Sequence, residues 1–240
     1  MKVLWAWLWA WLWCCSSYGV VSARNFSICR EFAGNDFFDN FYFWKYNDPT
    51  KGKVDYVSRK VAQDMNLSYV DPANNRFVMQ VDHMNEAVPL NGNQSDLGRR
   101  SVRIHSNNLY GDGVYILKAS FMPQGCGTWP AFWSDGPSDW PSGGEIDIIE
   151  GVNGEGGNIA SLHTAEACQV PNVTQLQQGS VMITDSATKQ APTNMDLGDA
   201  MQRWGKPQAF FGSDTGDASN GTNCPMNQIF QNHELVFDTT

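Results

Sequence analysis

Gly143-Gly144-Glu145-Ile146-Asp147-Ile148-Ile149-Glu150-Gly151 is the stretch on which the reading of this chain turns. It puts three carboxylates into six residues, spaced by β-branched isoleucines and bounded by glycines. Such a run predicts a buried strand. Alternate side chains of a strand point to opposite faces, so Glu145 and Asp147 share one. Glu150 is an odd number of positions from Glu145, and a regular strand would turn it among the isoleucines. An unpaired carboxylate buried there would be costly or forced neutral. One extra residue, a β-bulge near Ile148 or Ile149, restores the parity and puts all three acids on one side.

With that bulge, Glu145 and Glu150 lie about four strand steps apart, roughly 13 Å at ~3.3 Å per step. Two glutamates leaning toward each other, each reaching roughly 4 Å by ordinary bond lengths, leave a gap of about 5 Å. A retaining glycosidase holds its nucleophile and its acid/base about 5–5.5 Å apart. The residues alone also admit a plain acidic strand face, or carboxylates gathered for a calcium ion.

Working outward, Trp129, Trp133 and Trp140 crowd just before this strand. The 240-residue chain opens Met1-Lys2, runs apolar from Val3 to Trp13, and then reaches Val21-Ser22-Ala23. That pattern predicts a secretory signal cut after Ala23, with a core too short for a membrane span. Residues 24–240 then form one domain, destined for the extracellular space or cell wall. Cys29, Cys126, Cys168 and Cys224 remain after cleavage, an even number for which disulfides are expected with the connectivity open. Five Asn-x-Ser/Thr sites begin at Asn25, Asn66, Asn93, Asn172 and Asn220 and predict a glycoprotein. A net charge of −9 argues against nucleic acid and anionic membrane as partners and permits a neutral polymer. No Cys-x-x-Cys or His cluster suggests zinc, and neither metal nor cofactor is expected.

Short strands are predicted at Val54–Val57, Phe77–Val81, Ser101–His105, Gly113–Phe121, Ile159–His163, Gln208–Phe211 and Glu234–Phe237, with turns between them. In Ser101–His105, Val102 and Ile104 take one face while Arg103 and His105 take the other. Asp48-Pro49-Thr50 and Gly52 mark a turn. Gln169–Ala200 is polar and without period, and reads as a loop or as poorly ordered. Many short strands suggest a β-sandwich.

Gly144–Asn153 resembles the active-site strand of glycoside hydrolase family 16, in its bulged Glu-x-Asp-x-x-Glu form. Gly125-Cys126-Gly127-Thr128-Trp129-Pro130-Ala131-Phe132-Trp133 and Asp139-Trp140-Pro141 are similar to the segment preceding that strand in secreted fungal endo-β-1,3(4)-glucanases. Ser101-Val102-Arg103-Ile104, Asp48-Pro49-Thr50 and Leu162-His163-Thr164 match the same group. The resemblance implies an all-β, concanavalin-like jelly-roll sandwich with a concave glucan cleft, working as a monomer on β-glucan. It assigns Glu145 as nucleophile, Glu150 as acid/base and Asp147 as the residue that hydrogen-bonds the nucleophile and tunes its charge. Trp133 and Trp140 would stack on sugar rings, Arg103 and His163 would line the cleft, and Trp204 would be a further cleft tryptophan. Trp129 is divided between core and cleft. Beyond Cys168 the family's Gly-rich stretch and two long aromatic strands are not found, nor is its closing strand before Thr240, so an incomplete jelly roll is expected. Glucan transglycosylation and a non-catalytic glucan-binding remnant stand as alternatives to hydrolysis.

Overall fold

The computed structural model describes residues 27–138, 140–153, 157–163, 183–184, 188–196 and 230–240. The chain divides into two units, Met1–Phe32 and Ala33–Thr240. Residues 27–32 of the first are without regular structure. The predicted signal, Trp204, Cys168, Cys224 and the Gln208–Phe211 strand lie outside the described residues.

The second unit is built almost wholly of strands. In order they are α1 (Asp36–Asn40), β1 (Phe41–Trp44), β2 (Val54–Tyr56), α2 (Arg59–Asp64), β3 (Ser68–Asp71), β4 (Arg76–Met79), β5 (Val88–Leu90), β6 (Asn93–Ser101), β7 (Arg103–Ser106), β8 (Pro130–Asp135), β9 (Glu145–Glu150), β10 (Gly157–His163), β11 (Ile183–Thr184), β12 (Thr188–Asp196) and β13 (Glu234–Thr239). One sheet has eight strands in the order β1-β7-β13-β8-β9-β10-β12-β11. A three-stranded sheet, β2-β6-β5, and the hairpin β3-β4 complete the set.

The register of the large sheet sorts its side chains into two faces. One carries Phe43, Ile104, Phe237, Phe132 and Ile149 across five neighbouring strands. This is the core side. Phe132 stacks on Phe237 at 4.6 Å, and Phe37 of α1 stacks on Phe77 of β4 at 4.8 Å while meeting Phe237 edge-on. The aromatic run after Asp36 thus ties the β3-β4 hairpin to the back of the sheet, where aromatic pairs add to simple area burial. The opposite face is polar and carries the acids.

Two expectations fail. Gly113–Phe121 forms no strand. It finds no pairing partner among the described residues, and Val114, Ile116 and Phe121 remain exposed; Leu117 alone of its apolar residues packs on Phe132 and Ile149. Gln169–Ala200 is not simply loop, because β11 and β12 fall inside it, and β12 pairs with β10 from Gly157↔Asp196 to His163↔Thr188. Pairing with an existing edge, rather than any apolar period of its own, decides that polar strand.

Candidate active site

The polar face of the large sheet is organised in three cross-strand rows. The first reads Trp44, Arg103, Asp238, Ala131, Glu150 from β1 to β9. The second reads Tyr42, His105, Val236, Trp133, Asp147, Ser161. The third reads Glu234, Asp135, Glu145, His163.

Glu145, Asp147 and Glu150 fall on one face because β9 carries the bulge its sequence demands. Trp133 faces Asp147 and Phe132 faces Ile149, so the pairing skips Ile148. Ala131 then faces Glu150. Two steps on β8 correspond to three on β9, and the parity is repaired. Ile149 is buried on the core side, 6% exposed.

Each glutamate is held by a different indole. Trp129 Nε1 donates to Glu150 Oε1 at 3.0 Å, and Ser161 Oγ donates to Glu150 Oε2 at 3.3 Å. Trp140 Nε1 donates to Glu145 Oε2 at 2.9 Å. Trp140 sits on the β8–β9 loop, more than half exposed, with its ring tilted against His163 at 5.6 Å. That loop is closed by Gly136 N–H donating to Gly144 O at 3.0 Å, with Gly144 at φ +77°. Gly136 has no room for a side chain: a Cβ there would lie 2.0 Å from Gly143 O.

His163 Nε2 lies 3.2 Å from Asp147 Oδ2 and 3.7 Å from Glu145 Oε1. Burial alone would lower its pKa, but the hydrogen bond and charges of Asp147, and then Glu145, raise it. Glu145 is pushed up by burial and by Asp147, against the pull of His163 and Trp140. Glu150 is pushed up to about 7, first by burial and then by Asp147. His163, held toward its protonated form, is thus the counter-charge that draws Glu145 back down, while burial and Asp147 still keep Glu145 above the ordinary carboxylate range. The donor atoms of Glu145, Asp147 and His163 lie within 4.8 Å of one another, close enough to share a cation. The imidazolium accounts for the same geometry.

The remaining expected residues are found in different settings. Trp133 is on the same face, donating from Nε1 to Asp238 Oδ2 at 3.0 Å, with the Arg103 guanidinium over its ring at 4.8 Å. Arg103 is in the rows too, but buried beneath the surface. It is flanked by Asp48 at 3.9 Å and Asp238 at 3.8 Å, its Nε donates to His105 Nε2 at 2.9 Å, and it also lies over Trp44 and Tyr56. It thus underpins the floor of the site.

Sequence reasoning passed over the polar chain beside it. His105 Nδ1 donates to Glu234 Oε1 at 2.6 Å and Tyr42 OH donates to Glu234 Oε2 at 3.1 Å. Burial pushes Asp238 and Asp135 each up to about 6. Alternation in β8 and β13 could have pointed to Asp135, Glu234 and Asp238, but no local motif marks them. A separate hollow of about 650 Å³, lined by Lys53, Asp82, His83, Arg99, Cys126 and Thr240 among others, contains none of the rows' acids. Cys29 and Cys126 are exposed and not bridged to each other.

Residues 41–201 match the family described as XgeA-like, catalytic GH16 domain. A protein of Schizosaccharomyces pombe named "Probable glycosidase" is 37% identical over 163 residues, covering 68% of this chain and 36% of that one. An endo-1,3(4)-beta-glucanase of Arthroderma benhamiae is 30% identical over 261 residues, covering 87% of this chain and 53% of that one. The chain therefore spans between about a third and about half of these relatives' lengths. Among solved structures, GH16 laminarinase 16A from Phanerochaete chrysosporium, described with two beta-glucans in its donor and acceptor sites, aligns with a TM-score of 0.69 at 28% identity. That alignment covers 87% of this chain and 82% of that one, and the fold is the all-β jelly-roll sandwich.

Proposed function

The chain belongs to glycoside hydrolase family 16, and from that premise we propose that it is an endo-acting, retaining β-glucanase that cuts β-1,3- or mixed β-1,3(4)-linked glucan. The observation that carries this is the skipped residue Ile148, which leaves Glu145 and Glu150 on one face with Asp147 between them. Two carboxyl groups flanking one glycosidic bond are what double displacement needs.

The Glu145 carboxylate attacks the anomeric carbon while Glu150 gives its proton to the departing oxygen. The glycosidic C–O bond breaks and a glycosyl ester forms on Glu145. The Glu150 carboxylate then takes a proton from water, whose oxygen attacks the same carbon. The ester bond breaks, and both glutamates return to their starting states. Trp129 and Ser161 aim Glu150, and Trp140 aims Glu145. The exposed ring of Trp140 offers a surface to a sugar's C–H face. An acidic face suits a neutral polymer and repels an anionic one. In this reading His163 lines the substrate side, Trp204 is assigned there by the family resemblance alone, and Arg103 acts from below through Trp133.

Purified protein is expected to release reducing ends from laminarin, and Glu145→Gln is expected to abolish the release. Equal release by the two proteins would overturn the assignment. The first product should be the β-anomer by NMR, and an α-anomer would remove Glu145 as nucleophile.

Secretion belongs to the same proposal. It is supported by the Met1–Ala23 pattern and by exposed acceptor asparagines at Asn66 and Asn93. No helix among the described residues is long and apolar enough to cross a membrane. Protein recovered from culture medium should begin at Arg24 on N-terminal sequencing.

A further inference from the structure

The ladder between β9 and β10 stops half-way along. Ser161, Leu162 and His163 pair with Asp147, Ile146 and Glu145, and the register goes no further. Past Asp147, β9 keeps its pairing with β8 only, and there Ile148 is skipped. The carbonyl of Ile148 and the N–H of Glu150 thus stand at the bulge with no strand partner on the β10 side.

Asn158, on β10, takes both. Its Oδ1 accepts from Glu150 N–H at 3.0 Å, and its Nδ2 donates to Ile148 O at 3.0 Å. The residue is wholly buried. A carboxamide presents a donor and an acceptor side by side, as a peptide group does. Here it stands in for the strand that the bulge pushes away. The two bonds grip the peptide groups on either side of Ile149, where the chain regains its parity. They therefore set the direction in which Glu150 leaves the backbone.

We propose that Asn158 is the positioning residue of Glu150: by bridging Ile148 and Glu150 across the bulge, it fixes the acid/base against the scissile bond without touching substrate. The proposal rests on the glycosidase reading above and adds a residue to it. Its counterpart for Glu145 is the regular pairing with His163, which Asn158 does not reach. Loss of Asn158 should therefore disturb one glutamate and spare the other.

Two substrates and two indoles separate these effects. Asn158→Ala should lose about 10²–10⁴-fold on laminarin, the range that proton transfer by a placed side chain supplies. On a 2,4-dinitrophenyl β-laminaribioside, whose leaving group needs no proton, the initial burst of dinitrophenolate should survive. Equal loss on both substrates would mean general unfolding of the site and would overturn the proposal, as would full activity on both. Glu145→Gln is the control expected to lose both. A wild-type protein inactive on both substrates would sink the glycosidase reading, and the positional claim would then be decided by NMR. The Trp129 indole N–H reports Glu150 and the Trp140 indole N–H reports Glu145. In Asn158→Ala the pH titration seen at Trp129 should shift while that at Trp140 stays in place. An unmoved Trp129 titration, or equal shifts of both, would overturn it.

Should Asn158→Ala fail to fold, Asn158→Asp serves. Its protonated carboxyl again offers one O–H to Ile148 O and one oxygen to Glu150 N–H. Relative to wild type at each pH, its activity should recover as the new carboxyl is protonated. No recovery would count against the proposal.

Discussion

Glu150 owes its raised pKa to burial first and to Asp147 second. A carboxylic acid that holds its proton to about pH 7 can protonate a leaving oxygen at neutral pH. The sign is fixed: the acid form fills below about 7 and empties above it. On laminarin, kcat/KM should therefore fall as pH rises through about 7, and Asp147→Asn, which removes a like charge, should move that fall to lower pH. A pH–rate profile of the two proteins checks both statements. Glu150→Gln should lower laminarin hydrolysis by about 10²–10⁴-fold. The acids themselves were legible in the sequence, because their spacing on β9 is a local fact and their odd parity demands a bulge. The partners that tune them were less so. From sequence Trp129 divides between core and cleft, and in the structure its indole is bonded to Glu150. Asp238 meets Trp133 across 105 residues of chain, a distance no short motif spans.

At the level of elements, β9 carries one extra residue. Deleting Ile148 would remove that extra residue and leave Glu145-Ile146-Asp147-Ile149-Glu150, a regular alternation in which the three acids keep one face. Laminarin hydrolysis should therefore survive the deletion, and a loss as complete as that of Glu145→Gln would show that Glu150 needs the bulge itself for its aim. Ile149→Ala keeps the parity and removes a buried side chain instead. It should cost about 2–5 kcal/mol of unfolding free energy by denaturant titration. Strands with a strong period of their own, such as Arg103–Ser106 and Glu145–Glu150, were foreseeable. Gly113–Phe121 has an apolar content suited to a strand yet lacks a neighbour among the described residues, and Thr188–Asp196 has a neighbour yet lacks the period. In both, the deciding term is pairing across the sheet, which local sequence does not encode.

For the molecule as a whole, acidity is the dominant electrostatic fact. Glu145, Glu150, Asp135 and Asp238 all have pKa values raised above the ordinary carboxylate range, chiefly by burial. Between that range and their shifted values, the folded protein binds more protons than the unfolded chain. Those acids, joined by the raised His163, make stability rise as pH falls from 8 toward 5; His105, whose pKa burial lowers, opposes them in part, and the net charge of −9 adds self-repulsion at the alkaline end. Calorimetry should find a higher Tm at pH 5.5 than at pH 8.

The strand Glu234–Thr239 lies in the interior of the large sheet, between β7 and β8. Its Glu234 meets His105 across 129 positions, and its Asp238 meets Trp133 across 105. During synthesis, β7 and β8 must wait for it with a vacant lane between them, and the loop to be closed is long. Such late, distant pairing makes assembly slow and leaves two sticky borders available to other molecules in the meantime. Ribosome-bound intermediates lacking this strand should accordingly lean on chaperones, and the two halves of the acidic face come into register only when it slides home.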